Sequence, residues 1–302
     1  MRYDRTMKIR TTIVAILFIA SSAFAAEGYY RSPALQGDLV VFTAEGDLWA
    51  HRISSGQTTR LTTHPALETN ASLSPDANQI AYIADYEGVR EIYVMPVSGG
   101  VPKRVTYENA GVALQGWSAD NRVLYSTSSE VGAPGSPRLK TVDPVNLGVT
   151  TIPLADAADG ALDAAGEYVY FSQFGSRWDN HTQYRGGMLG TLWRYRLDSG
   201  DEAERLAPAH PGSARQPMVD SDKLYFLSDA SGRENLWSAR LDGSNATQIT
   251  HYDDFSVRDV SISDGRAVYR RGADLYIRDL SEPASTMLDI ELTSDHPSLR
   301  EA

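Results

Sequence analysis

Short apolar runs alternate along this chain with polar, glycine-bearing turns, and one arrangement recurs. Leu48-Trp49, Ile92-Tyr93, Leu192-Trp193, Leu236-Trp237 and Leu275-Tyr276 are each followed, five positions after the first residue, by Ile53, Val97, Leu197, Leu241 and Leu280. Each pair reads as a strand, and four lead into glycine turns at Ser55-Gly56, Ser98-Gly99, Ser199-Gly200 and Asp242-Gly243. Most copies then run into a Leu-Thr-like strand. About ten residues upstream of each pair lies a second apolar run: Leu39–Phe42, Ile80–Ile83, Tyr168–Phe171, Leu224–Leu227 and Ala267–Tyr269. Leu73-Ser74-Pro75-Asp76 and Ile262-Ser263-Asp264-Gly265 supply turns before two of these. The unit is a small antiparallel meander.

A sixth, weaker unit has its turn at Trp117-Ser118-Ala119-Asp120 and strands at Val123–Tyr125 and Leu139–Val142. Six units between Trp49 and Tyr276 give a mean period of about 45 residues, the length of a four-stranded propeller blade. Helical repeats of that length would place apolar residues at i, i+3 and i+4, a pattern missing here. A single meander cannot hide both apolar faces or its edges, so the units must stack around an axis. The predicted fold is all-β, a six-bladed β-propeller of four-stranded antiparallel blades. Trp49, Trp193 and Trp237 are expected between blades, each contributing about 2–3 kcal/mol by burial.

Upstream of the repeat, Arg2, Arg5, Lys8 and Arg10 precede an apolar run from Ile13 to Ala20 and the small-x-small triplet Ala23-Phe24-Ala25. This reads as a secretory signal peptide over residues 1–25, placing the mature chain across the inner membrane, in a bacterial periplasm. The run is far below the roughly 20 residues of a membrane-spanning helix. Residues 26–292 are assigned to the propeller, and 293–302 to the truncated start of a following segment.

The 28 basic and 39 acidic residues give a net charge of −11. Loss of the signal peptide removes four basic residues and one acidic, making it −14. That balance argues against nucleic acid as a partner. The absence of cysteine excludes disulfides and thiol chemistry.

Signatures of catalysis are missing: there is no Gly-x-Ser-x-Gly, His-Glu-x-x-His, phosphate loop or dinucleotide fingerprint. The stretch from Asp156 to Glu167 has a calcium-loop length, but Gly160 is out of place and Ala158 stands at a ligand position. The six histidines, His51, His64, His181, His210, His251 and His296, have no metal-ligand spacing and read as surface or capped residues. No catalytic residue, metal or cofactor is therefore assigned. One segment breaks the rhythm, the long hairpin Ser176–Gly187 between Phe171 and Leu192. Its Trp178, His181, Tyr184 and Arg185 are the candidate peptide or domain contacts, set against a hairpin that merely packs on its own blade.

The hairpin ends in Tyr184-Arg185-Gly186-Gly187 before Leu192-Trp193, and the first blade opens Gly37-Asp38-Leu39-Val40-Val41-Phe42, then Asp47-Leu48-Trp49 and Ser55-Gly56. With Asp264-Gly265-Arg266 leading to Asp274-Leu275-Tyr276, these residues resemble the N-terminal six-bladed propeller of the tricorn protease family over about Tyr29 to Leu292. In that family a second propeller, a PDZ-like domain and a catalytic core with a serine nucleophile follow. The resemblance implies a non-catalytic propeller that channels or filters peptides for a core missing from this chain, whose partners are peptides and the remaining domains. A homo-oligomer is implied only for the full-length protein. The family's archaeal form has a longer, basic loop between blades two and three. Here Tyr107-Glu108-Asn109-Ala110-Gly111 carries no Lys or Arg, so carboxylate capture by this loop is not expected. The alternative is a free-standing TolB-like periplasmic interaction propeller; the Ser-x-Asp-x-Gly-x-x-Trp boxes of propeller glycosidases are absent.

Overall fold

In the computed structural model, which describes residues 29–129, 136–174 and 182–293, every predicted meander is a four-stranded antiparallel sheet of consecutive strands. Blade 1 holds β1 (Arg31–Gln36), β2 (Leu39–Ala44), β3 (Asp47–Arg52) and β4 (Thr58–Arg60), and blade 2 holds β5 (Glu68–Leu73), β6 (Gln79–Ala84), β7 (Glu91–Pro96) and β8 (Lys103–Arg104). Blade 3 holds β9 (Val112–Trp117), β10 (Val123–Thr127), β11 (Arg138–Val142) and β12 (Val149–Thr151), and blade 4 holds β13 (Asp159–Leu162), β14 (Tyr168–Gln173), β15 (Thr191–Arg196) and β16 (Glu204–Arg205). Blade 5 holds β17 (Ala214–Asp220), β18 (Lys223–Ser228), β19 (Asn235–Arg240) and β20 (Thr247–Gln248). Blade 6 holds β21 (Val257–Ser263), β22 (Arg266–Arg271), β23 (Asp274–Asp279) and β24 (Thr286–Met287). No helix occurs among the described residues, and residues 1–25 lie outside them.

Alternation along the second strand of each blade decides where the core sits. Leu39 and Val41 point toward blade 2 while Val40 and Phe42 point toward blade 6, so both faces of the sheet are covered and the strand reads as an unbroken apolar run. The buried apolar residues accordingly fall into six clusters, one at each junction between neighbouring blades. Trp49, Trp193 and Trp237 each lie in or against the cluster shared with the preceding blade, as the repeat implies. Blade 3 looks degraded in sequence because Lys140 stands where other blades carry Trp or Tyr. Its ammonium pairs with Glu108 at 3.2 Å, and the blade keeps all four strands. Gly160 is explained by packing: a Cβ there would lie 2.6 Å from a Leu139 methyl.

Antiparallel pairing divides the connections between two faces. Second-to-third strand turns and the crossovers from each outer strand to the next inner strand share one end, the crossover face. The other turns share the opposite face. Tight two-residue turns such as Asp264-Gly265, with φ of 53° and 72°, join the strands where both residues must be left-handed.

The ring closes without exchanging a strand. Thr286–Met287 is the outer strand of blade 6, and β1–β4 complete blade 1 alone. The seam is held by Tyr30, whose N–H donates to the Ala273 carbonyl and whose hydroxyl donates to the Ile290 carbonyl, both at 3.0 Å. Beneath it Tyr30, Phe42, Trp49, Val268, Leu275, Leu288 and Ile290 form one cluster.

Candidate functional site

The six inner strands β1, β5, β9, β13, β17 and β21 surround the axis. In four of them the register slips at the same place, at Arg31/Ala34, Thr69/Ser72, Arg215/Met218 and Arg258/Ser261. The extra residue in each is left-handed: Ser32, Asn70, Gln216 and Asp259 have φ between 48° and 54°. In β9 the unpaired residue is Gln115, beside Gly116 at φ 143°. Such bulges re-aim a side chain, and here they turn polar groups toward the next blade.

The result is a belt of hydrogen bonds that crosses every junction. The Ser32 N–H donates to Asp259 Oδ2 at 3.3 Å, and its hydroxyl donates to Asn70 Oδ1 at 3.4 Å. Trp117 Nε1 donates to the Ser72 carbonyl at 3.1 Å, and the Gly160 N–H donates to Gln115 Oε1 at 3.2 Å. Gln216 completes the circuit, its N–H donating to Asp159 Oδ2 at 3.3 Å and its side-chain amide to the Val260 carbonyl at 3.1 Å. At least one hydrogen bond therefore bridges each of the six junctions around the axis. Charge is unequal around it: Arg31, Arg215 and Arg258 stand just before the bulges of blades 1, 5 and 6, the last two beside Glu234, and Arg270 holds Asp259, while blades 2 and 3 bring neutral amides and hydroxyls to the belt.

The described part of the long blade-4 hairpin, from Thr182 onward, lies on the crossover face. Trp178 and His181 fall outside the described residues. Arg185 reaches across to blade 5, placing Nη1 3.2 Å from each oxygen of Asp229. That carboxylate is buried and also accepts the N–H groups of Gln183 and Ser213, while the Gln183 amide donates to the Gly232 carbonyl at 3.0 Å. The hairpin is thus a strap tying two blades. Tyr184, partly exposed, folds over Gly186, where an added Cβ would lie 2.0 Å from its hydroxyl oxygen. An open groove of about 410 Å³ runs beside the strap, lined by Thr182, Gln183, Ser231, Gly232, Arg233 and Asp253.

Sequence reasoning missed a second device, although its signal was available. The residue before the aromatic pair is Asp47, Glu91 or Asn235, and the outer strand closes on the first residue of Arg60-Leu61-Thr62, Arg104-Val105-Thr106 or Gln248-Ile249-Thr250. Each Thr hydroxyl accepts the N–H of the residue that opens the pair, at 2.8–2.9 Å, and donates onward to an acid or amide. Thr106 donates to Glu91 at 2.6 Å and Thr250 to Asn235 at 2.9 Å, whereas Thr62 reaches Glu68 of blade 2. Glu68 also accepts from Tyr86 at 2.6 Å and lies beside Asp47, which Arg60 holds. Burial first, and then Asp47, push Glu68 up to about 7 against the pull of the two hydroxyls. Burial likewise raises Asp47.

His210 Nε2 and Ser228 Oγ are 2.6 Å apart, close to Asp229. Ser228 is completely enclosed, the His210 ring is wedged edge-on between Phe226 and Trp237, and burial lowers its pKa. The pair joins a half-buried imidazole to a fully enclosed hydroxyl. His51 is buried as well, its Nδ1 3.0 Å from the Thr58 hydroxyl. No group of three His, Asp or Glu side chains suited to a metal occurs among the described residues.

The family model described as the tricorn protease N-terminal beta propeller domain matches residues 27–284. The chain belongs to that family. Tricorn protease homolog 1 of Streptomyces coelicolor is 32% identical over 272 residues, covering 89% of this chain and 25% of the relative. The crystal structure of the tricorn protease superposes with a TM-score of 0.77 at 21% identity, over 88% of this chain and 27% of that one. A putative TolB from Agrobacterium tumefaciens shares the fold at a TM-score of 0.61 and 21% identity, over 73% and 80%. This tricorn propeller spans about a quarter of the length of the curated relatives it matches. Its 107–111 loop, acidic as the sequence shows, uses Glu108 internally. Burial raises that carboxyl, but Ser129, Tyr125 and Lys140 more than offset it and hold it below the usual range.

Proposed function

We propose that this chain is the non-catalytic propeller of a secreted tricorn-like serine protease, where its bore guides or screens peptides moving to or from a catalytic core carried by other domains. The observation that carries the reading is the belt of inter-blade hydrogen bonds in a tricorn-family propeller. A closed ring whose blades are bonded to one another around the axis supports a narrow passage, one that would take extended chains and refuse folded proteins, as a shielded active site requires. Its partners are then peptides and the remaining domains, and its place is the periplasm reached through residues 1–25.

The test pairs the purified mature chain with a denatured, labelled casein. Retention of the casein without cleavage is the expected result. Saturable hydrolysis by the chain alone would overturn the non-catalytic reading. Secretion is checked in the same preparation by N-terminal sequencing, which should begin at Ala26.

A further inference from the structure

We propose that Asp47 of blade 1 and Glu68 of blade 2 share a single proton across their junction, and that this proton makes the junction a pH-sensitive clasp, closed in acid and loosened toward alkaline pH.

Asp47 opens β3 and Glu68 opens β5, and both side chains are buried. The backbone fixes their approach, since the Glu68 N–H donates to the Gly46 carbonyl at 2.8 Å. Arg60 occupies one oxygen of Asp47, its Nε lying 2.8 Å from Oδ2 and its Nη2 on the same atom. The other oxygen, Oδ1, is buried and receives no N–H or hydroxyl among the described residues. On Glu68, Oε2 accepts the Thr62 hydroxyl and Oε1 the Tyr86 hydroxyl, the latter at 2.6 Å. The two carboxyls are hydrogen-bonded to each other, and two carboxyls can be so bonded only through a proton. Burial raises both of them; against that background their contact lowers Asp47 and raises Glu68, so the proton sits on Glu68 and points at Asp47.

The surroundings offer no second cation for the ionised pair. Arg60 balances one carboxylate, and Glu45 adds a negative charge beside Asp47. From the crossover, the His64 ring lies 4.3 Å from Tyr86, with its Nδ1 accepting the Ala66 N–H at 3.0 Å. From blade 2, the Tyr82 and Tyr93 rings pack around Tyr86, and burial raises all three phenols, so they keep their protons. Loss of the Glu68 proton therefore leaves two buried carboxylates facing each other, a state that favours opening. The chain between them, residues 61–67, is pinned to blade 1 by the Leu61 N–H on the Leu48 carbonyl and by the Leu48 N–H on the Thr62 hydroxyl. The two other Thr clasps lack such a pair: Glu91 is met by Arg104 and by the Asn109 N–H, and Asn235 carries no charge. They are built-in references for the first.

The test follows backbone hydrogen exchange of the purified chain by mass spectrometry between pH 5 and pH 8, each rate corrected for intrinsic exchange at that pH. Protection over residues 46–50 and 61–69 should fall about tenfold or more across this range, because the closed clasp holds the proton more tightly than the open one. Around Ile92 and Leu236, which make the same N–H to Thr bond, it should stay level. The fall should vanish in Glu68→Gln, move to lower pH in Asp47→Asn, and persist in His64→Gln, which removes the neighbouring side chain of a type that ionises near neutrality. Protection that does not vary, or varies equally at all three clasps, overturns the proposal. So does a fall that survives Glu68→Gln or disappears in His64→Gln, and an unmoved midpoint in Asp47→Asn means that Glu68 titrates alone. An infrared band of a protonated carboxyl that persists at pH 6 in the parent and is missing from Glu68→Gln reads the same proton without relying on the Asp47 variant, and its absence from the parent overturns the clasp.

Discussion

Glu68 opens β5 completely buried, with the Tyr86 and Thr62 hydroxyls donating to it and the Asp47 carboxyl alongside. Its pKa stands at about 7 in the folded chain, against the ordinary value of 4.5. A raised carboxyl means that the folded state holds the proton more tightly than the unfolded one. The stability this contributes is complete below pH 4.5 and is lost as pH climbs through 7, a change of about 3 kcal/mol for such a shift. Glu68→Gln keeps a carbonyl oxygen for one of the two hydroxyls, puts an amide N–H where the protonated carboxyl has its O–H, and removes the titration. Urea denaturation should find the variant close to the parent near pH 4.5 and more stable by about 2–3 kcal/mol at pH 8. A difference that does not vary with pH would show that Glu68 titrates as an ordinary carboxyl.

The blade-4 strap depends on one buried carboxylate. Asp229→Ala removes the acceptor for two backbone N–H groups and for Arg185, at an expected cost of about 2–4 kcal/mol. Because the loss is local, limited proteolysis should cut between residues 182 and 190 much faster in the variant, and unchanged cleavage would mean that the strap is held by other contacts. In the sequence this hairpin stands out by its length and by Tyr184-Arg185-Gly186-Gly187, so its position was legible. Its attachment was not, since Asp229 lies 44 residues from Arg185 and belongs to another blade. Blades themselves could be read because an apolar strand covered on both sides leaves an unmistakable run, as in Leu39–Phe42. The belt of bulges could not: Ser32, Asn70, Gln216 and Asp259 share a conformation but no side-chain type, and the register slip that creates them arises from pairing with β2, β6, β18 and β22. The Thr clasps fall between these cases, with a repeat plain in the sequence and a purpose that only the backbone donors reveal.

At the scale of the whole ring, five junctions join blades that follow one another in the chain, and one joins its two ends. Since no strand is exchanged there, closure rests on Tyr30, Leu288 and Ile290 together with the bonds that the Ser32 N–H donates to Asp259 and the Leu35 N–H donates to the Ser261 hydroxyl. Leu288 and Ile290 follow the outermost strand; the Leu288 N–H donates to the Leu275 carbonyl and the Ile290 carbonyl accepts from Tyr30, backbone bonds that alanine keeps, so truncating the two side chains removes only apolar area from the seam. Leu288→Ala/Ile290→Ala should cost about 2–4 kcal/mol per side chain. It should also change how the ring unfolds. In the parent, tryptophan fluorescence, to which Trp49 in the seam contributes, and far-ultraviolet circular dichroism should follow one urea transition. In the variant the fluorescence change should come first, as blade 1 parts from blade 6 while five junctions still hold. Coincident transitions in the variant would place the strength of the seam in the belt around the axis, and Asp259→Ala, which removes the carboxylate that accepts the Ser32 N–H, would then become the substitution that opens the ring.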